Sequence, residues 1–234
     1  MHTVSIDEMT GLQALERTAP DKTVRSGDVT KQEFEYERHG TTTLIGNFDV
    51  TTGEMFSETI GPTRTEEDFL AHVMRTVATD PLAPWTFVLD NLNVHWSASL
   101  VEAIGQLCEP GRDLGAKGKR GVLKSQVTRR EFLSDSTHRV RFVYLPKHSS
   151  WLNQIEIVFG IITRKAIRRG SFKSLQDLED KLRMFLKYYN DVMAHPFKWT
   201  YTGKPLEKSR RQLFCPIHRR PTARNAKPVK ANAS

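Results

Sequence analysis

Three carboxylates in this sequence each close or flank an apolar segment. Asp7 follows Thr3–Ile6, Asp90 follows the unbroken run Trp85–Leu89, and Glu156 lies within a periodic run from Trp151 to Ala166. Brought together, they would repel, and one or more would take up a proton unless a cation neutralised them. Mg2+ and Mn2+ are hard cations that prefer such oxygen ligands. Two of these ions, roughly 3.5–4 Å apart, stabilise both the attacking and the leaving oxygen of an in-line phosphoryl displacement, and no side chain then has to be the nucleophile. Asp49, also on a strand, is the alternative to Asp7 as the first ligand.

The elements that must position these residues follow from hydrophobic pattern. Thr3–Ile6 reads as a very short strand of four residues ending at Asp7. Met9–Gly40 is polar and irregular, with turn signals at Ala19-Pro20-Asp21 and Ser26-Gly27-Asp28. Thr41–Val50 and Glu54–Ile60 flank Thr51-Thr52-Gly53 as a hairpin. The acidic segment Thr65–Asp68 opens a helix whose apolar face is Phe69, Val73 and Val77. Trp85–Leu89, apolar without alternation, is a strand covered on both faces and therefore central. Ser97–Leu107 is a helix, and Arg139–Tyr144 alternates as a half-buried strand.

Two more helices close the pattern. In the first, Trp151, Ile155, Val158, Ile162 and Ala166 share a face, so Trp151 should pack; Glu156, about 100° from Ile155, sits at the edge of that face. In the second, Ser174 and Asp177 resemble a capping box, and Leu175, Leu178, Leu182, Phe185 and Tyr189 form the stripe. A three-strand meander followed by alternating helices and strands is the α/β, ribonuclease H-like arrangement, a mixed sheet flanked by helices. It carries the three carboxylates toward one end of the sheet.

Composition narrows the partners. The net charge is +8, and Gly203–Ser234 alone holds nine Lys and Arg against Glu207, so the rest of the chain sums to zero. A neutral domain, 1–202, with a basic tail, 203–234, suits a polyanion such as DNA. No apolar run approaches the roughly 20 residues of a membrane span. No apolar stretch follows Met1 as in a secretory signal. Cys108 and Cys215 lack metal-site spacing and read as reduced thiols of a cytoplasmic protein.

The blocks Ser5–Gly11, Asn47-Phe48-Asp49, FVLDNLNVH (87–95), YLPKHSSWLNQIEIVFG (144–160) and FKWTYTGKPL (197–206) resemble bacterial insertion-sequence transposases of the mariner-like superfamily. The resemblance implies that Asp7, Asp90 and Glu156 are the DDE triad, and so favours Asp7 over Asp49. It also implies Mg2+ or Mn2+ as cofactor, cleavage at transposon ends, strand transfer into target DNA at TA dinucleotides, and a homodimeric active complex. Glu156 follows Asp90 by 66 positions, longer than in the best-known mariner relatives, which places an insertion at about 109–136. Such proteins carry helix-turn-helix modules ahead of the catalytic domain, and six residues precede Asp7. The expectation is a C-terminal part, one product of a split frame, or a decayed copy.

Candidate DNA contacts are Asn91, His95 and His148 around the site, Lys117, Lys119, Arg120 and Lys124 on a flexible Gly-rich loop, and Arg210, Arg211, Arg219 and Arg220 in the tail. Asn91 reads as a residue that orients a ligand carboxylate or binds phosphate, and equally well as a turn residue. A four-residue interior strand makes few ladder bonds, so Asp7 should be loosely held and cleavage poor.

Overall fold

The computed structural model describes residues 1–19, 35–147 and 149–200. The chain forms two compact units, Met1–Phe197 and Lys198–Ser234. The turn signals expected between residues 20 and 28, His148, Cys215, the basic tail with Arg210, Arg211, Arg219 and Arg220, and the boundary expected at 202/203 lie outside the described residues.

Five strands form one mixed sheet in the order β3-β2-β1-β4-β5. They are β1 (His2–Arg17), β2 (Tyr36–Asp49), β3 (Met55–Gly61), β4 (Trp85–Leu89) and β5 (Val140–Tyr144). β1 pairs antiparallel with β2 and parallel with β4; β4 pairs parallel with β5. The expected meander, the central position of Trp85–Leu89 and the ribonuclease H-like fold are all present.

The first strand differs from the sequence reading. β1 has 16 residues, not four, and passes through Asp7 rather than ending at it. Its pairing with β2 runs from Val4↔Asp49 to Arg17↔Tyr36, interrupted by register shifts after Met9 and Gln13. The residues that read as irregular, Met9–Arg17 and Tyr36–Gly40, are a long two-stranded ribbon. Polar side chains hid it: pairing there is carried by backbone groups, which need no apolar pattern. Gly11, at φ 71°, takes the backbone conformation that one of these irregularities requires. Asp7 is therefore held within an unbroken stretch of pairing, Val4–Met9, and the expectation of a loosely held residue is overturned.

Helices cover both faces. α1 (Glu66–Ala78) is opened by Thr65, whose side chain accepts from the Asp68 N–H in a capping box, and it buries Phe69, Val73 and Val77. With α2 (Ala98–Cys108, capped by Ser97) and α3 (Gln126–Leu133), it packs on the face that carries Val4, Ile6 and Ile45. α4 (Ile155–Ile162) and α5 (Leu175–Tyr188) cover the opposite face, against Leu44, Phe48 and Met55. Ser174 caps α5 through the Asp177 N–H.

Two further readings change. α3 lies inside the insertion expected at about 109–136, and the loop before it, expected to be flexible, is a tight turn. Ala116 and Arg120 form a β-bridge, and a Cβ at Gly115 would lie 2.1 Å from the Arg120 carbonyl oxygen. Trp151 does not pack as the first turn of α4; it sits in a separate 3-10 turn, Ser150–Leu152, and is exposed.

The β2–β3 turn offers a test. Gly53 has φ 81°, and a Cβ there would lie 2.1 Å from the His195 carbonyl carbon, where backbone cannot yield cheaply. Gly53→Ala should destabilise the fold by more than about 1 kcal/mol in urea unfolding at fixed pH. An unchanged midpoint would mean that His195 does not pack on this turn.

Candidate active site

Side chains alternate along a strand, so Asp7 and Glu8 leave β1 on opposite faces. Asp7 lies on the α4 side and Glu8 on the α1 side. β4 ends at Leu89 and its parallel pairing with β1 stops at Ser5↔Val88, so Asp7 and Asp90 both lie just past that shared end. Glu156 is in the first turn of α4.

A buried amide joins two of these elements. Asn153, fully buried, donates from Nδ2 to the Ile6 carbonyl at 2.9 Å and to Asp7 Oδ2 at 3.2 Å. Its Oδ1 accepts from the Ser5 hydroxyl, and that hydroxyl oxygen accepts from the Ile155 N–H at 3.0 Å. The residues leading into α4 are thus bonded to both sides of Ile6. Close approach is possible because Gly46 stands opposite Asp7. A Cβ on Gly46 would lie 3.0 Å from Ile155 Cδ1 and 3.3 Å from Phe159 Cε1.

Asp90 is held from the other side. Its Oδ1 accepts from the Leu92 N–H at 2.9 Å and stands 3.1 Å from His95 Nδ1. The other ring nitrogen of His95 is 3.0 Å from Glu8 Oε1. His95 has no exposed surface, so it is not the DNA contact expected from its place in the chain; it is enclosed by carboxylates and by Phe69. Asn91 donates to the Leu145 carbonyl, which fits its turn role, and its buried Oδ1 has no partner among the described residues. Asn91 and Asp90 line a cleft of about 340 Å3 with Leu92, Pro146, Lys147, Ser149 and Ser150.

The electrostatics record the crowding. Burial pushes the Asp7 carboxyl up to about 7; the Glu8 N–H opposes this, while the charges of Glu8, Asp90 and Glu156 add to it. Burial and Asp90 raise Glu156 as well. Asp90 goes the other way, held below the usual carboxylate range chiefly by its hydrogen bond to His95. For His95, burial opposes the charged ring, but its bonds to Asp90 and Glu8 prevail and carry it up to about 9.

The donor set fits divalent cations: three carboxylates, all hard oxygens, two of them penalised for carrying charge without a counter-ion. Among the described residues, the group whose ligand atoms lie within 4.8 Å of one another is Glu16, Glu37 and His39, toward the other end of β1. The triad is not gathered that tightly. Asp49, the alternative first ligand, accepts from the N–H groups of Thr51 and Thr52 and is a turn residue; it pairs with Val4, three positions before Asp7.

Lys117, Lys119, Arg120 and Lys124 are all exposed, and Arg120 pairs with Asp113 at 2.6 Å. The sequence reading missed Glu8, Ser5 and Asn153, although all three lie inside the quoted blocks. It also missed Arg64, an exposed residue whose charge helps to lower Asp90. Arg64 had no such signal, since proximity to Asp90 arises only in the fold.

A family model described as DDE superfamily endonuclease matches residues 2–179. No curated protein matches the chain. Among solved structures it is similar to the Mos1 mariner paired end complex with Mn, with TM-score 0.52, 12% identity, and coverage of 84% of this chain and 50% of that one. Weaker likenesses are to the Mos1 transposase paired-end complex with left transposon end (TM-score 0.48, 12% identity, 84% and 50%) and to the Mos1 strand transfer complex (TM-score 0.49, 12% identity, 79% and 47%). The chain spans about half the length of these solved chains, and at such identity the first likeness speaks for the fold.

A pH test follows for Asp7. Its folded pKa of about 7 lies above the ordinary 3.8, so ionisation costs stability. The cost is absent below the ordinary value, grows as pH rises, and is complete above about 7. Asp7→Asn should therefore raise the metal-free melting temperature more at pH 8 than at pH 4. An equal change at both values would show that neither burial nor the neighbouring charges raise the Asp7 carboxyl.

Proposed function

The chain belongs to the DDE superfamily endonuclease family, and on that premise we propose that it is the catalytic domain of a transposase of the mariner-like, bacterial insertion-sequence type. It cleaves DNA strands at transposon ends and joins them to target DNA, with two copies of the chain in the active complex. The carrying observation is geometric: Asp7 and Asp90 lie just past the shared end of β1 and β4, and Asn153 bonds Asp7 at the entry to α4, whose first turn holds Glu156. The raised Asp7 carboxyl, due first to burial and then to the charges of Glu8, Asp90 and Glu156, agrees with it.

Asp7, Asp90 and Glu156 would hold Mg2+ or Mn2+. A bound pair of such ions activates the attacking oxygen and stabilises the leaving one in an in-line displacement. The chain's own residues supply the rest. Asn153 holds Asp7 Oδ2 and the Glu8 N–H holds Oδ1, and Arg64 and Lys147 offer positive charge beside Asp90 to a backbone phosphate. Lys117, Lys119, Arg120 and Lys124 extend this to flanking DNA, Asn91 lies at the cleft beside Asp90, and the Gly203–Ser234 tail adds sequence-independent attraction.

With a duplex carrying the ends of its own element and Mn2+, nicking and joining should both be seen. Asp90→Asn and Glu156→Gln should each reduce them by at least about a hundredfold, since even the partners of metal ligands are worth 10–100-fold. Supplying a free 3′-OH end separates the classes: joined products mark a transposase, hydrolysis alone a nuclease of the same fold. Wild-type rates in all three amide variants, Asp7→Asn included, would end the triad assignment.

The tail is tested by salt. Each phosphate neutralised steepens the fall of log K with log salt by about 0.9. Deleting 203–234, with its nine Lys and Arg, should weaken binding and flatten that slope by several units. An unchanged slope would make the tail a passive extension.

A further inference from the structure

His95 stands between two carboxylates of different standing. Asp90 belongs to the triad. Glu8 does not: it projects from the opposite face of β1, and its side chain is 2% exposed. Neither His95 nor Glu8 can touch DNA, and nothing in the phosphoryl-transfer chemistry uses them. A core position filled for packing alone would be apolar, because an enclosed ion pair gains little over well-packed apolar side chains.

The surroundings fix the ring tightly. Its Nδ1 is 3.1 Å from Asp90 Oδ1 and 3.3 Å from the Asp90 carbonyl oxygen, and its Nε2 is 3.0 Å from Glu8 Oε1. Phe69 lies against one side at 4.5 Å between ring centres. The backbone is tied too, since the Tyr144 hydroxyl donates to the His95 carbonyl at 2.8 Å. The Tyr144 ring in turn lies beneath the Arg130 guanidinium at 4.6 Å. His95 itself is in a 3-10 turn, Asn93–Trp96, directly after β4, so its distance from Asp90 is set by a short, rigid connection.

We propose that Glu8 and His95 are positioning residues: Glu8 anchors the His95 ring, and the ring fixes the rotation of the Asp90 carboxylate so that one oxygen is engaged and the other is left for a divalent cation. The arrangement follows from strand alternation. The residue after Asp7 must point away from the metal-facing side, and there it meets the turn that leaves β4. Asp7 and Asp90, on separate strands, are thereby oriented from one dipeptide, Asp7 directly and Asp90 through Glu8 and His95. A carboxylate so fixed loses little rotational freedom on taking up a cation, and second-layer partners of this kind are worth 10–100-fold in metal affinity.

The proposal rests on the divalent-metal reading of the triad, and two substitutions test it. His95→Gln puts an amide N–H near the former Nε2 and keeps the bond to Glu8 only. His95→Asn puts one near the former Nδ1 and keeps the bond to Asp90 only. In Mn2+ titration followed by electron paramagnetic resonance, H95Q should bind about ten- to a hundredfold more weakly than wild type. H95N should retain most of the affinity, even if its melting temperature falls further.

A metal-free measurement stands beside the titration and requires no His95 variant to fold. Proton–nitrogen spectra of the wild-type chain should show two hydrogen-bonded His95 ring N–H signals. Asp90→Asn should move the Nδ1 signal and Glu8→Gln the Nε2 signal. Wild-type affinity in H95Q, equal losses in H95N and H95Q, or an Nδ1 signal indifferent to Asp90→Asn would each overturn the positioning role. A wild-type chain that takes up no Mn2+ would overturn the metal reading instead, leaving the ring signals to decide whether His95 orients Asp90.

Discussion

The catalytic end of this molecule depends on the buried amide of Asn153. α4 is eight residues long and brings Glu156 in its first turn, yet nothing in its own sequence fixes how it meets the sheet. Asn153 does so with bonds to Ser5, the Ile6 carbonyl and Asp7, while Ser5 also takes the Ile155 N–H. Each polar atom in this set has a partner, the condition under which a buried network specifies one arrangement rather than weakening the core. The clasp also turns the start of α4 toward the carboxylates. The N–H groups there are all paired: Ile155 with the Ser5 hydroxyl, Glu156 with the Asn153 carbonyl and Ile157 with the Gln154 carbonyl.

Given that clasp, strand alternation divides the remaining work between the two faces of the sheet. Asp7 faces α4 and its amide; Glu8 faces α1 and His95. One side offers carboxylate oxygens to a cation, and the other supplies an imidazole, itself a cation when protonated, enclosed by protein. Asp90, just past the end of β4, is reached from both. That explains why its carboxyl is lowered while those of Asp7 and Glu156 are raised, although all three belong to one cluster. Burial raises Asp7 and Glu156 most, whereas at Asp90 the hydrogen bond to His95 outweighs burial.

Much of this was legible from residue pattern. Trp85–Leu89 announced a central strand because parallel strands covered on both faces need no alternation. The acidic segment Thr65–Asp68 announced a helix start through the helix dipole, and Ser174 announced another through capping chemistry that acts within a few residues. Asp90 and Glu156 could be named as candidates because one follows β4 and the other opens α4, whereas Asp7 reads as the end of a strand that in fact runs on to Arg17. What stayed hidden is carried by backbone or by distant contacts. The far half of β1 reads as loop because its ladder with β2 is built from N–H and C=O groups under polar side chains. His95 reads as a surface contact because its burial depends on Glu8, 87 positions earlier. The excursion around Gly115 and Gly121 reads as flexible because glycine marks both a loose linker and a tight turn. Only the close approach of Arg120 decides between them.

Charge explains why the site is built with so little positive charge of its own. The chain outside 203–234 sums to zero, and the floor of the site is a group of carboxylates. A DNA phosphate approaching that floor is repelled unless cations intervene, and His95 cannot help because its ring is enclosed. Arg64 beside Asp90 and Lys147 at the cleft are side chains of the right sign near the triad, and both are exposed and screened by salt. On the proposed reading, neutralising the floor would fall to bound divalent ions, and capturing the polyanion to the exposed lysines and arginine of the turn at 117–124. Such a division would make catalysis conditional on metal without making DNA affinity conditional on it. A floor lined with fixed lysines would bind phosphate with or without metal, and its ammonium groups would compete with the ions for the same carboxylates.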